Sequence, residues 1–109
     1  MMNIAFKFSI KGPNEPVRNS SYQVRIVSND SSRLHDLLGK MKDEIRISGY
    51  VSIARLRTIS GQEKVFGGSQ DHEYHWGWTS LRTAVVLEKA EEFLLNLAPA
   101  LLIEDGSYS

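Results

Sequence analysis

The sequence predicts an α+β domain: an antiparallel sheet of four to five strands with two helices, in the order β-β-α-β-β-β-α, the helices mainly on one sheet face. Three observations predict it. Apolar and polar residues alternate cleanly near the start of the chain. Gly, Pro, Asn and Ser punctuate the apolar segments. Two stretches repeat their apolar residues at helical spacing. A length of 109 residues suits one domain, and 41% hydrophobic with 24% charged residues is ordinary globular composition. Residues 1–103 read as that domain and residues 104–109 as a disordered tail.

Each element has its own warrant. Ile4, Phe6, Phe8 and Ile10 alternate with Ala5, Lys7, Ser9 and Lys11, the pattern of a half-buried strand. Gly12, Pro13, Pro16, Asn19 and Ser20 mark a loop. A second strand over 22–28 points Tyr22, Val24 and Ile26 inward, and pairs with the first as an antiparallel hairpin with a long loop. Asn29, Asp30, Ser31 and Ser32 offer helix caps, and Leu34, Leu37, Leu38, Met41 and Ile45 follow at helical spacing. The helix ends near Lys42, with a strand from Glu44, or continues to about residue 47 with Gly49 as its stop.

Residues 50–59 are rich in β-formers, but Val51 and Ile53 take one parity while Ala54 and Leu56 take the other. A strand covered on both faces, or one with a bulge, accounts for that. Ser60-Gly61 predicts a turn, 62–66 a short strand, and Gly67-Gly68-Ser69-Gln70 a second turn. A last strand runs over 71–77. Thr79 or Ser80 then caps a helix reaching about Ala98, with Val86, Leu87, Ala90, Phe93, Leu94, Leu97 and Ala98 as its apolar stripe and Pro99 as its stop.

Charge and composition exclude several function classes. The absence of cysteine rules out disulfides, thiolate zinc sites and a cysteine nucleophile. The longest apolar run, Leu97 to Ile103, is far short of the roughly 20 residues a membrane span needs. No basic leader opens the chain, so a cytoplasmic protein of bacterial or viral type is expected, bacterial first. The zero net charge hides an asymmetry: residues 1–68 carry eleven Lys/Arg against six Asp/Glu, residues 69–109 two against seven. The apolar end Leu101-Leu102-Ile103 either packs back on the domain or meets a partner, such as a second copy.

The richest stretch chemically is Asp71-His72-Glu73-Tyr74-His75-Trp76-Gly77-Trp78. On a strand, Asp71, Glu73 and His75 share a face. Such a row can hold a divalent metal or set a general base beside an acid, as in a small metal-dependent hydrolase. No second ligand cluster completes it, so no metal, cofactor or catalytic residue is assigned. Tyr, Trp and His beside carboxylates also suit a protein interface. Arg55 and Arg57, two apart on the expected strand, with Arg25 and Lys7, form the basis of a nucleic-acid alternative. No aromatic platform shares that face.

The junction Trp76-Gly77-Trp78-Thr79-Ser80-Leu81-Arg82-Thr83-Ala84 resembles that of small bacterial α+β immunity-like proteins. The likeness covers about a dozen residues, and much of it is a general helix start. It implies a role in neutralising a toxin. The leading expectation is therefore a non-catalytic interaction module, most sharply an immunity or inhibitor protein that binds and blocks a basic toxin. Its partner-binding residues would be Asp71, Glu73, His75, Trp78, Glu88 and Glu92.

Overall fold

In the computed structural model, residues 6–61 and 71–103 are described. In chain order the elements are β1 (Lys7–Lys11), β2 (Ser21–Ser28), α1 (Ser31–Ser48), β3 (Val51–Ser52), α2 (Ile53–Ser60), a 3-10 turn (Asp71–Tyr74), β4 (Trp76–Trp78), β5 (Val85–Lys89), β6 (Glu92–Asn96) and β7 (Ala100–Leu102). Among the described residues the class is α+β with two helices and an antiparallel sheet, as predicted, with seven strands rather than four to five. The strand and turn expected over 62–70 and the tail over 104–109 lie outside the described residues.

The first half follows the sequence pattern. β1 and β2 pair antiparallel, with Phe8 opposite Ile26 and Ile10 opposite Val24. Tyr22, Val24 and Ile26 are buried, as their parity required. α1 takes the longer of its two expected courses. Asp30 caps it, its side chain accepting from the Ser32 N–H at 3.0 Å, and Gly49 closes it at φ 89°. The hydrogen bonds from Ser32, first from its side chain, hold the Asp30 carboxyl below the usual carboxylate value. Gly49 sits in the left-handed region that an L side chain enters only with strain, and donates back to the Ile45 carbonyl at 2.7 Å.

Two elements differ from expectation. Residues 53–60 form a helix, not a strand. The Ser52 hydroxyl accepts from the Arg55 N–H at 3.0 Å, making Ser52 an N-cap. Ile53, Ala54 and Leu56 are then buried on one helical side, which resolves their mixed strand parity. The helix expected over 79–98 is instead a hairpin. Val85 lies opposite Asn96 and Lys89 opposite Glu92, leaving Ala90 and Glu91 as the turn. The helix preference of the Glu88–Glu92 segment is worth only a few tenths of a kcal/mol per residue. Strand pairing offers more, because β6 takes an edge of β2 and Leu95 becomes fully buried opposite Ile26.

The sheet order is β3-β4-β7-β2-β6-β5, with β1 on the other edge of β2. β2 therefore serves both β6 and β7 along one side. Arg25 pairs with Asn96 and Tyr22 with Ala100, so two residues of β2 face three of its partner strand between those pairs. That extra residue is a bulge, at Leu97-Ala98-Pro99, and it bends the strand toward β4. Pro99 stops a strand pairing here rather than a helix. Both helices contribute to a single core with β2: Leu34, Leu37 and Met41 from α1, Ile53 and Leu56 from α2, and Tyr22, Val24 and Ile26 from the sheet. Helix contacts thus gather on one face of β1-β2-β6-β5, as expected.

Gly77 makes the β3–β4 pairing possible. A Cβ there would stand 2.1 Å from the Val51 carbonyl oxygen and 2.7 Å from the Ser52 Cα. Only a residue without a side chain lets β4 approach β3 so closely.

Candidate interaction surface

The 71–78 segment divides into an interior part and a surface part. Residues 71–74 form a 3-10 turn, so the strand row of Asp71, Glu73 and His75 does not form. Glu73 is 3% exposed and turns inward. Its carboxylate accepts two hydrogen bonds from Arg57, from Nε at 2.6 Å and from Nη2 at 3.2 Å. Trp78 is also buried and donates from Nε1 to the Ala98 carbonyl at 2.7 Å. Trp76 does the same to the Ser20 carbonyl at 2.9 Å. Asp71 and His75 remain exposed, and Tyr74 joins them.

A polar lock therefore lies under this segment. The His72 ring stacks on Tyr22, centroids 4.8 Å apart and planes 7° from parallel, and Trp76 meets Tyr22 edge-on. The Tyr22 hydroxyl donates to the Pro13 carbonyl. Burial, and then the neighbouring Glu73 carboxylate, raise the Tyr22 hydroxyl above its ordinary pKa. This arrangement ties the 12–20 loop and the 3-10 turn to β2 through Tyr22. Among the described residues no group of three or more His, Asp or Glu side chains gathers in a way that holds a metal.

The basic patch does not assemble either. Arg55 and Arg57 lie on α2, not on a strand face. Arg55 holds Glu44 at 2.9 Å and Arg57 holds Glu73, while Arg25 stands on the sheet. With one guanidinium committed to a buried carboxylate, these residues make no shared phosphate surface.

The open face of β1-β2-β6-β5 is the surface with most to offer. Its side chains are those of opposite parity to the core. One cross-strand row runs Lys7, Val27, Leu94, Leu87; the next runs Ser9, Arg25, Asn96, Val85. Val85 is 45% and Leu87 38% exposed, beside the buried Leu94. Charged groups frame this apolar stripe: Arg25 stands within the face, and Lys7 bridges to Glu92 at 3.6 Å. Glu88 and Glu92 are exposed at this hairpin, as expected of surface residues, although on strands rather than a helix. They are far from Asp71 in the sheet, since β6, β2 and β7 separate β5 from β4.

Val85 and Leu87 escape sequence reasoning because a helical stripe absorbs Leu87 and leaves Val85 on its polar side. The signal that points to them is the β-branched pair Val85-Val86 ahead of alternating Leu87, Glu88 and Lys89. The C-terminal Leu101-Leu102-Ile103 packs back on the domain. β7 fills the gap between β2 and β4, Ile103 is buried, and Leu101 stays 57% exposed. Among the described residues no helix is long and apolar enough to cross a membrane. Against this geometry, comparison with protein families, curated proteins and solved structures finds no match to the chain.

Proposed function

We propose that the chain is a non-catalytic protein-interaction module, of the kind that binds and blocks another protein. An immunity or inhibitor role is its sharpest form. The observation that carries the reading is the stripe of Val85 and Leu87 beside Leu94, on a sheet face that neither described helix covers, framed by charges. Apolar centres with polar rims are how protein interfaces are built. The acidic residues Glu88, Glu91 and Glu92 at the end of the same hairpin favour a partner with a basic rim, such as a basic toxin, and would steer its approach.

The test starts with capture from a lysate of the producing cells by the tagged chain, with and without nuclease. The captured protein is then purified and its own activity assayed with the chain added. Inhibition by the natural chain, lost with Leu87→Glu and weakened by Glu88→Lys with Glu92→Lys, is the expected result. Capture that vanishes with nuclease, or inhibition unchanged by all three substitutions, would overturn the reading.

A further inference from the structure

We propose that β5 pairs antiparallel with β5 of a second copy of this chain, centred on Val86, joining the sheets of the two copies into one. β5 ends the sheet order, with β6 on one side and no described strand on the other. Such an edge presents a row of backbone donors and acceptors, a ready template for another strand. Natural edges are blunted by proline, bulges, shortness or charged side chains. β5 has no proline and pairs with β6 without a bulge, and its charges, Glu88 and Lys89, are confined to the turn end, leaving Val85-Val86-Leu87 uncharged.

The choice of a second copy comes from the register. With Val86 opposite Val86, Val85 of each copy meets Leu87 of the other on the open face. Glu88 falls opposite Ala84, and Lys89 opposite Thr83. Apolar residues meet apolar residues and no like charges face each other. A register one residue further on sets Lys89 against Val85 and Glu88 against Val86. The next sets Glu88 against Glu88, and like charges directly opposite are unfavourable. The Val86 register also brings the turn carrying Arg82 of one copy to the acidic end of the other, where Glu88 and Glu91 stand. Zero net charge leaves no bulk repulsion between copies.

This pairing would double the apolar stripe. The two Val85–Leu87 pairs would join the Leu87–Leu94 rows of both copies into one exposed band across the sheet. A partner docking there would meet a two-fold surface. The dimer stands independently of that partner, since it needs only the chain itself.

Sedimentation equilibrium of the full chain tests it, together with engineered cysteines in a chain that has none of its own. The expected result is a reversible monomer–dimer equilibrium in the micromolar range, its dissociation constant raised more than tenfold by Val85→Lys with an unchanged circular dichroism spectrum. Val86→Cys should give a disulfide-linked dimer on mild oxidation, because the two sulfurs face each other across the axis. Leu87→Cys should link far more slowly, because its own copy lies diagonally across. A monomer at all concentrations overturns the proposal, as does a dimer in which Leu87→Cys links as fast as Val86→Cys. Should Val85→Lys fail to fold, the two cysteine variants decide the matter alone.

Discussion

Glu73 and Arg57 are 3% and 14% exposed and hold each other through two hydrogen bonds. A buried pair of this kind contributes little over an apolar replacement, yet removing one partner strands the other charge. Glu73→Gln is expected to destabilise the fold by about 3–5 kcal/mol in urea titrations. The double change Arg57→Met with Glu73→Met should cost clearly less than the two single changes added together. Tyr22 supplies a pH test beside it. Its folded pKa lies above the ordinary 10.0, through burial first and Glu73 second. Its contribution is therefore complete below that ordinary value and is lost as pH rises toward the folded one. Tyr22→Phe should flatten this alkaline loss in melting curves taken above neutrality. It should also lower neutral stability, because the hydrogen bond to Pro13 goes with the hydroxyl.

At the scale of elements, the β5–β6 hairpin is the least locally favoured part. Its turn places Ala90 at φ 35°, in the left-handed region where a Cβ crowds the backbone. Glycine enters that region freely but loses more entropy on folding. Ala90→Gly should therefore stabilise the protein by about 0.5–1 kcal/mol, seen as a higher urea midpoint with an unchanged slope. A helix through this segment would have no left-handed residue, and the same change would destabilise it by about 1 kcal/mol. The sign of one measurement thus distinguishes hairpin from helix. α2 shows the reverse case. Its strand-like residues Ile53, Ile59 and Thr58 enter a helix because Ser52 caps it and Gly61 ends it at φ 77°.

For the whole molecule, β2 is the organising strand, and β7 is the link between its two halves. β7 pairs with both β2 and β4, and Ala100 and Ile103 are buried there. Truncation after Pro99 should remove the ladder that holds β4 and β3, and expose Trp76 and Trp78. The expected result is loss of the cooperative unfolding transition and tryptophan emission shifted to the red. A truncated chain with native-like cooperativity would show that β7 is dispensable. The same topology explains why Ala100 and Ile103 are internal, and why two of the large apolar side chains left exposed, Val85 and Leu87, stand together on β5.

Local pattern alone determined much of this protein. The alternation of Phe8, Ile10, Tyr22, Val24 and Ile26 dictated the first hairpin and its buried face, because a strand of period two leaves one side for the core. The cap candidates around Asp30 and the helical spacing from Leu34 dictated the start and buried face of α1, while its course on to Gly49 was one of two that local pattern allowed. Tertiary structure decided the second half. Ile53 to Ser60 satisfy either a strand or a helix, and Val85 to Asn96 satisfy either a helix or a hairpin. Propensity differences there are worth a few tenths of a kcal/mol per residue, and burial of Leu94 and Leu95 beside β2 offsets their sum. Pairing along β2 therefore chose the hairpin. Burial of Glu73 against Arg57 likewise drew a carboxylate off the surface, since its partner lies sixteen residues away on an element that local pattern reads as a strand. The open-face stripe at Val85 and Leu87 exists only once that hairpin has formed.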